Sequence, residues 1–433
     1  MAPNYLPKVK EQYEALPYPP RNPQDELKRL VKTDAENLVA INHNCFAGKQ
    51  TFNNDFRVLV AGGGTGDSTI YLAEQLRETN AEVVYLDLSS ASREIAEQRA
   101  QIRNLTNIKF ITGSILDLAS YDLGRFDYIS STGVLHHLDS PEQGLKELVD
   151  ALKPQGAVYL MLYGKYGRQP IYETQALLKE LIDTSLPPSE QARLARQVLA
   201  GLPPHHRFKQ VEGQWLREIS ESGYGDTGLF DLLLHTQDVA YTVQDIMNLT
   251  QSVGLRFIDF VGRGKPLYML ENATQSPELL SMLDKKSHID KMAITEQIRQ
   301  DITNHSFVLS PNSNAQAKLS DHSLALICVR ELSQYTEAIH DAIVPGQYLD
   351  IKLNLEFEGQ ALQHTYAING SDVNKLLFKY LDGTTTLTEF YQIANAQFPT
   401  ISEQELSKEV QAIFELFHPH GWIFLTNPDI HKG

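Results

Sequence analysis

A glycine-rich stretch and a following acid have the residue types and the spacing of a nucleotide-type ligand site. Residues 58–66 read VLVAGGGTG, after a short β-branched segment and before a helical pattern that begins near Asp67. Glycines let the main chain turn tightly and approach a ligand, and the unpaired N–H groups of the helix start face the same place. Asp87 follows 21 residues after Gly66, which is the spacing at which an acid in a doubly wound sheet accepts hydrogen bonds from ribose hydroxyls.

The glycine spacing separates two classes of cofactor. A dinucleotide loop has the pattern G-x-G-x-x-G, but counting from Gly62 puts Asp67 in the third place, and counting from Gly64 puts Thr69 there. An acid at the head of the helix repels a pyrophosphate, whereas it suits a zwitterionic ligand that carries an ammonium group. The loop therefore points away from nicotinamide dinucleotides and towards S-adenosylmethionine.

Two adjacent histidines are candidate general bases. His136 and His137 follow a predicted strand at the carboxyl edge of the sheet, where doubly wound sheets bind their ligands. The alternative is that one of them packs in the interior or holds a loop. His205 and His206, in the loop LPPHHRF, are a second candidate pair, with a solvated turn as the alternative. An adjacent pair without further ligands is poor evidence for a metal, so no metal site is expected.

The elements that must position these residues alternate between strands and helices. Helices are predicted between the strands and again at 243–252, and a strand over 256–261 is expected to join the sheet edge. This order predicts an α/β fold, a doubly wound Rossmann-like sheet with helices on both faces. Its five main strands are predicted over 57–61, 82–88, 108–112, 126–130 and 157–163.

Four regions are predicted along the chain. Residues 1–55 form an N-terminal helical lead, 56–272 the sheet domain, 273–345 a linker or insert, and 346–433 an accessory domain. The last region has the helix–helix–helix–strand order of a small α+β, winged-helix-like module. Its helix over 403–417 carries four glutamates against one lysine, so DNA binding is not expected, and docking of a protein or dimerisation is favoured.

Composition excludes several classes of protein. The chain has 433 residues with 38 Lys plus Arg against 54 Asp plus Glu, a formal net charge of −16, so it is not built to neutralise a phosphate backbone. Two cysteines exclude a disulfide framework and a cysteine-rich zinc site. No signal-peptide pattern or stretch of bilayer-spanning length is visible, so we expect a soluble, cytoplasmic protein without a membrane partner.

The order of the motifs resembles that of class I S-adenosylmethionine-dependent methyltransferases. The resemblance runs from about Phe56 to Tyr163 and implies the Rossmann-like fold and S-adenosylmethionine as the cofactor. Five segments carry it, in the family's order: VLVAGGGTGDST, VVYLDLSSAS, FITGSILDL, FDYISSTGVLHHL and LKPQGAVYLMLYG.

The resemblance also implies roles for residues of the cofactor site. The loop glycines would line the methionine and ribose part, Asp87 would hold the ribose, and Leu88 and Ile115 would enclose the adenine. The full implied set is Gly62, Gly63, Gly64, Gly66, Asp67, Asp87, Leu88, Ser114, Ile115 and Thr132.

Two positions depart from the family's pattern. Val60 stands where an acid often precedes the glycines, so the methionine ammonium needs another partner, with Asp67 as the candidate. Ser114 stands where an acid often meets the adenine amino group, so Ser114 or Asp117 would replace it.

Aromatic and polar residues outside the loop are candidate acceptor contacts. The lead segment QYEALPYPP resembles one found before the core of some methyltransferases, so its tyrosines could close over the cofactor as a lid; ordinary helix packing is the alternative. Strand five and the stretch DLLLHTQDVAY supply the others. The expected substrate residues are Tyr13, Tyr18, Tyr163, His235 and Tyr241.

These expectations lead to an S-adenosylmethionine-dependent methyltransferase whose acceptor is a protein side chain or a small metabolite. An accessory domain of this size favours the protein acceptor. A non-catalytic S-adenosylmethionine-binding regulator is the alternative class, and a nicotinamide-dependent oxidoreductase is disfavoured by Asp67. A second copy of the chain, in a homodimer, is a further candidate partner.

Overall fold

A seven-stranded sheet forms the centre of the molecule. This computed structural model describes residues 5–357 and 360–430, with side chains described outside 353–364. The strand order is β3-β2-β1-β4-β5-β7-β6, in which the first five are parallel and β7 and β6 are antiparallel to their neighbours. The strands are β1 Arg57–Ala61, β2 Glu82–Asp87, β3 Ile108–Thr112, β4 Phe126–Thr132, β5 Leu152–Tyr163, β6 Arg256–Phe260 and β7 Asn304–Ser310.

The central strands are buried along their length, as parallel strands covered on both faces must be. Four of the five residues of β1 and four of the six of β2 are buried, and they are mostly valine and leucine. The register pairs Ala61 with Leu86 and Asp87 with Thr112, so the carboxyl ends of β1, β2 and β3 meet at one edge. The predicted doubly wound sheet and its edge strand near 256–261 are confirmed.

Among the residues that the structure describes, thirteen helices precede the carboxy-terminal unit, and several begin at side-chain caps. The Ser89 hydroxyl accepts the N–H of Ser92, and the Ser140 hydroxyl accepts that of Gln143 ahead of a proline in the first turn. The helices are α1 Pro7–Ala15, α2 Leu38–Cys45, α3 Asp67–Gln75, α4 Ser90–Ile102, α5 Pro141–Asp150, α6 Gln169–Leu181, α7 Pro188–Gly201, α8 Arg207–Val211, α9 Leu216–Ile219, α10 Gly225–Leu229, α11 Val243–Ser252, α12 Pro277–Leu283 and α13 His288–Arg299.

Residues 169–234 form a helical insertion after β5 with an apolar core of its own. Ile171, Leu178, Phe208, Leu229 and Leu233 are each fully buried in that core. The insertion ends in a π-helical turn, Phe230–Leu234. It supplies one wall of the cavity at the carboxyl edge of the sheet.

The lead segment lies across the same edge. The N–H of Thr65 donates to the carbonyl of Tyr18, and the Thr65 hydroxyl donates to the carbonyl of Pro19 at 2.7 Å. The Ser89 hydroxyl donates to the carbonyl of Tyr13 at 3.0 Å. These bonds tie residues 13–19 to the glycine loop and to the start of α4.

A second core belongs to the carboxy-terminal unit. Trp422, Phe417, Phe390 and Leu406 are buried in it, between a three-stranded antiparallel sheet in the order β11-β8-β12 and the helices. Its strands are β8 Ala325–Cys328, β9 Tyr348–Phe357, β10 Gln360–Asn369, β11 Asp382–Thr386 and β12 Ile423–Thr426. Its helices are α14 Arg330–Ser333, α15 Thr336–Ala342, α16 Asp372–Leu377, α17 Leu387–Gln397 and α18 Glu403–Phe417.

The region 273–345, expected to be a linker or insert, supplies strands to both sheets. β7 pairs with β5 and β6 in the large sheet, and β8 lies at the centre of the small sheet. Both pairings join strands far apart in the sequence, so no local pattern marks them. None of the helices described is long and apolar enough to cross a membrane.

Candidate functional site

A cavity of about 550 Å³ opens at the carboxyl edge of β1, β2 and β4. The glycine loop, the ends of these strands, the lead segment and the helical insertion all contribute to its wall. Thirteen of the residues expected to form the site line it: Tyr13, Tyr18, Gly62, Gly63, Gly64, Asp67, Asp87, Leu88, Ser114, Ile115, Thr132, His137 and Tyr163.

The glycine loop needs its glycines for both space and backbone conformation. Gly62 has a φ of +82°, and a Cβ there would lie 2.2 Å from a methyl group of Val134. Gly64 has a φ of +49°, and its Cβ would lie 2.7 Å from the carbonyl oxygen of Tyr18. Any side chain at these positions would push into the wall, so the loop leaves bare main chain facing the cavity.

Asp87 is held at the end of β2 by main-chain donors. The N–H of Gly64 donates to its Oδ2 at 2.7 Å, and the N–H of Ser89 donates to its Oδ1 at 2.8 Å. Burial raises the pKa of Asp87, and the neighbouring Glu14 charge adds to this, while those two hydrogen bonds oppose it. The carboxylate thus has a fixed orientation, with lone pairs left for a ligand's hydroxyls.

The acid at the head of α3 is already neutralised. Arg21 donates to Asp67 through Nε and Nη2, and Arg99 donates to the other side of the same carboxylate at 2.7 Å. Burial raises the pKa of Asp67, but the hydrogen bonds and charges of the two guanidiniums outweigh it and hold that pKa below its usual value. Arg99 is only 1 % exposed and also pairs with Glu26. Asp67 therefore lines the cavity with its charge already balanced by two guanidiniums, and its contact with a ligand's ammonium group stays a prediction.

The loop after β3 lines another part of the cavity. The Ser114 hydroxyl accepts the N–H of Leu116 and caps the 3₁₀ turn Ile115–Tyr121. Ser114 and Ile115 are each 5 % exposed, so they present a compact, mainly apolar surface next to Leu88.

His136 and His137, adjacent in sequence, have different environments. His136 is fully buried, its ring stacks on that of Tyr163 with centroids 3.7 Å apart, and it lies outside the cavity lining. The pKa of His136 lies well below its usual value, chiefly because the ring is buried and also because of the charges of His137 and Arg168. His137 does line the cavity, and burial lowers its pKa to about 4. Of the two, only His137 lines the cavity.

A hydrogen-bond chain connects the lead segment with the end of the insertion. The Tyr13 hydroxyl lies 2.9 Å from Asp231 Oδ1 and 3.2 Å from His235 Nε2. The N–H of Gln237 donates to His235 Nδ1, so the proton of this ring is on Nε2, which donates to the Tyr13 oxygen. The carbonyl of Gln237 in turn lies 2.8 Å from His137 Nδ1, which must carry the proton there.

His137, Asp231 and His235 also bring ligand-type atoms within 4.8 Å of one another. Hydrogen bonds with Tyr13 and Gln237 already occupy both nitrogens of His235 and one oxygen of Asp231. Metal coordination there would require breaking these bonds and reversing the tautomer of His235, so the donor set is arranged for hydrogen bonding.

Arg168 is a cavity residue with a buried positive charge. It is 4 % exposed, its guanidinium lies 3.5 Å from the centroid of the Tyr163 ring, and it also faces Trp215. Within the described part of the chain, its Nε and Nη2 have no hydrogen-bond partner. The charge sits near Asp231 and favours the ionised form of that carboxyl.

Comparison with known proteins finds a family match in the part of the chain that forms the central sheet. Residues 59–158 match the family model described as a methyltransferase domain. Residues 59–158 of this chain thus form a methyltransferase domain.

Relatives of this methyltransferase domain are found in several bacteria. An uncharacterized Synechococcus protein is 28% identical over 62% of this chain and 64% of its own length. The tRNA 5-carboxymethoxyuridine methyltransferase of Escherichia coli K12 is 28% identical over 40% of this chain and 62% of its own length. The chain thus spans just under two thirds of each of these relatives.

The fold likeness extends beyond the methyltransferase domain. PKMT2 from Rickettsia typhi, solved in complex with AdoHcy, superposes with a TM-score of 0.60 over 90% of this chain and 74% of that chain, at 15% identity. At that identity the likeness concerns the fold, which includes the carboxy-terminal unit.

Some expected site residues lie behind the wall of the methyltransferase cavity. Gly66 is the N-cap of α3 with a φ of +103°, and Tyr241 packs in the large core and bridges Gly164 by main chain. His235 is 1 % exposed and reaches the cavity through Tyr13. His206, from the second histidine pair, caps α8 by accepting the N–H of Phe208 through Nδ1.

Sequence reasoning missed several residues of the site. Arg21, Arg168, Trp215, Glu218 and Asp231 line the cavity. The arginines and Asp231 lie in segments of ordinary helical or loop composition. A signal was available only for Asp231, because it opens the stretch DLLLHTQDVAY that was already expected to return near the pocket.

Proposed function

We propose that this protein transfers the methyl group of S-adenosylmethionine to a protein side chain or a small metabolite. The observation that carries the proposal is the pairing of a bare main-chain loop with one oriented carboxylate, Asp87, in a cavity at the carboxyl edge of the sheet. Doubly wound sheets bind ligands at this edge, and an acid so placed accepts hydrogen bonds from ribose hydroxyls.

The residues present fit an adenosyl cofactor. Asp87 would hold the ribose, Leu88 and Ile115 would enclose the adenine, and the loop from Gly62 to Gly64 would lie along the methionine part. When bound, S-adenosylmethionine supplies a methyl carbon activated by a sulfonium leaving group.

The chain's own contribution is position and exclusion of water. Tyr13 and Tyr18 from the lead segment close the cavity on one side, and the insertion closes it on the other. Glu14 fixes this lead segment, because its carboxylate accepts the N–H groups of Ser90 and Ala91 at the start of α4. A closed, oriented site is what an in-line displacement at carbon requires.

A protein side chain is the acceptor that we favour. The net charge of −16 opposes a polyanionic acceptor such as the tRNA named for the Escherichia coli relative. The accessory unit adds a second folded surface beside the methyltransferase domain, which is consistent with a macromolecular acceptor.

Two measurements test the proposal. Calorimetry with S-adenosylhomocysteine should show binding to the wild type and a loss of about 10- to 100-fold in Asp87→Ala, the scale of lost charged hydrogen bonds. Asp127→Ala is the matched control, because Asp127 lies at the opposite end of β4, where it binds Lys153 and the N–H of Arg57. Equal affinities in wild type and Asp87→Ala would contradict the ribose assignment.

The second measurement identifies the acceptor. Incubation with S-adenosylmethionine labelled in the methyl group and a bacterial lysate, followed by separation into protein, RNA and small-molecule fractions, should label protein. Label in the small-molecule fraction would identify a metabolite acceptor, and label in RNA would contradict the charge argument. Binding of S-adenosylhomocysteine without label in any fraction would favour a non-catalytic regulator.

A further inference from the structure

The chain of Tyr13, Asp231 and His235 has a defined direction for its protons. Because His235 Nε2 donates to the Tyr13 oxygen, the Tyr13 proton points to Asp231 Oδ1, 2.9 Å away. The Tyr13 oxygen keeps one lone pair, and Tyr13 and Asp231 both line the cavity. The Tyr13 end of this hydrogen-bond chain therefore faces the space for an acceptor, and the other end is the carboxylate of Asp231.

The surroundings keep these groups in the states that the chain needs. Burial raises the pKa of Tyr13 well above its usual value, so the phenol stays protonated. Burial raises the pKa of Asp231 to about 6, against the hydrogen bond from Tyr13 and the charge of Arg168. At neutral pH Asp231 is thus an ionised base of unusual strength for an aspartate. The titratable groups that face this hydrogen-bond chain are Tyr18, His137, Tyr163, Arg168, Lys179, Glu218 and Asp238.

His137 is the competing base, and its geometry is less suitable. Its Nδ1 is committed to the carbonyl of Gln237, and only Nε2 carries a lone pair. A buried imidazole with Arg168 nearby resists a positive charge. Proton transfer to Asp231 through Tyr13 creates no new charge in this part of the cavity.

We propose that Tyr13 and Asp231 carry the proton away from an acceptor whose reacting atom bears N–H or O–H, with His235 as a positioning residue. This rests on the methyl transfer proposed above. It restricts the acceptor to an amine, amide or hydroxyl, because a thioether or tertiary amine has no proton to lose.

The lone pair of the acceptor atom forms the new bond to the methyl carbon, and the carbon–sulfur bond breaks with its electron pair moving to sulfur. The acceptor's proton moves to the Tyr13 oxygen as the Tyr13 proton moves to Asp231. Tyr13 is regenerated unchanged, and Asp231 returns its proton to solvent when the product leaves.

The first test needs no acceptor. Carboxyl carbons of the aspartates are labelled, the protein is saturated with S-adenosylhomocysteine, and the Asp231 resonance is assigned by its loss in Asp231→Asn. We expect a midpoint above that of an ordinary aspartate, and a further rise in Tyr13→Phe because a donor to the charged form is lost. Tyr159→Phe is the matched control, since Tyr159 donates to Ser306 in another part of the protein. An Asp231 midpoint that is the same in Tyr13→Phe as in the wild type overturns the proposal.

The second test uses the fraction that wild-type protein labels. We expect Asp231→Asn to lower the single-turnover rate at least 100-fold at neutral pH, the usual scale of general-base catalysis, with affinity for S-adenosylhomocysteine within about threefold of wild type. The wild-type rate should fall as pH drops through the Asp231 midpoint, and this limb should be absent in Asp231→Asn. An unchanged acid limb in that variant overturns the relay. If the wild type itself does not bind S-adenosylhomocysteine, by contrast, the proposed function fails.

Discussion

The guanidinium of Arg21 forms a bidentate ion pair with the carboxylate of Asp67, with Nη2 2.6 Å from Oδ2 and Nε 2.9 Å from Oδ1. This pair joins the lead segment to the first residue of α3, immediately after the glycine loop. With Arg99 on its other side, Asp67 acts as a structural link between the lead segment, the loop and α4.

Loss of Asp67 should therefore be measured first as a loss of stability. Asp67→Ala leaves Arg99, which is 1 % exposed, with one carboxylate partner instead of two, and we expect the free energy of unfolding to fall by about 2 kcal/mol. Urea denaturation measures this. Asp150→Ala is the control, because its pair with Lys146 is exposed to solvent and should contribute far less to stability. Equal losses in the two variants would contradict the assignment.

The glycine loop should tolerate no methyl group at its first bend. In Gly62→Ala the new Cβ would meet Val134 at 2.2 Å on a backbone with positive φ, so we expect binding of S-adenosylhomocysteine to weaken at least tenfold. Gly254→Ala separates the two effects, because Gly254 has a φ of +72° with nothing within 4 Å. That variant should lose about 1 kcal/mol of stability and keep its affinity. Calorimetry on both variants measures the difference.

Glu14 should hold the lead segment in a pH-dependent way. Burial raises its pKa, but hydrogen bonds from Ser90 and Ala91 outweigh this and place the pKa below the usual glutamate value. The contact is therefore complete above about pH 4.3, the unfolded value, and is lost as pH falls through the lower folded value. In Glu14→Gln we expect faster amide exchange across residues 5–21 at neutral pH, measured by mass spectrometry.

Glu11→Gln is the control for that experiment, since Glu11 is an exposed residue of the same helix. Identical exchange in the two variants would show that the Glu14 contact does not restrain the lead segment.

The contact between α2 and the carboxy-terminal unit should weaken in acid. His43 is buried, its Nδ1 accepts the N–H of Leu425, and its ring lies 4.5 Å from that of His418. Burial, aided by the charge of Lys265, lowers the pKa of His43 to about 3. The unfolded chain binds this proton near pH 6.5, so the contribution of His43 is present above that pH and is lost as pH falls towards the folded value.

The slope for one such proton is about 1.4 kcal/mol per pH unit, which predicts a loss of about 2 kcal/mol between about pH 6.5 and about pH 5. Urea denaturation at the two pH values should show a smaller loss in His43→Gln. His288→Gln, at an exposed position, should behave as the wild type does. A pH dependence that is the same in His43→Gln and wild type would contradict the assignment.

The large sheet and the cofactor half of the cavity could be anticipated because their signals are local. The strand at Arg57–Ala61, the glycines at 62–66 and the acid at Asp87 lie within about 30 residues, and a βαβ unit folds such neighbours to one edge. Periodicity also marked α11 and α18 correctly. Burial on both faces makes each parallel strand a continuous apolar run, which is readable without knowing its partner.

The acceptor half could not be read in this way. Tyr13 and Asp231 meet across 218 positions, and neither has a neighbour in sequence that marks the contact. The surroundings of two acids could not be predicted either. Asp67, expected to face the ligand, is neutralised by Arg21 and Arg99, and Asp231, which was not expected in the site, lines the cavity. β7 was missed for the same reason, because it pairs with strands more than 40 residues away.

Local chemistry along the chain thus set the βαβ units from β1 to β3, the bends of the glycine loop and the carboxylate at the end of β2, since each depends on residues close in sequence. The partners of the buried charges depended on how the lead segment and the insertion fold over the sheet. A charged group removed from water must find a counter-charge wherever the packed chain supplies one. Which guanidinium reaches Asp67 and which hydroxyl reaches Asp231 is therefore a property of the packed molecule.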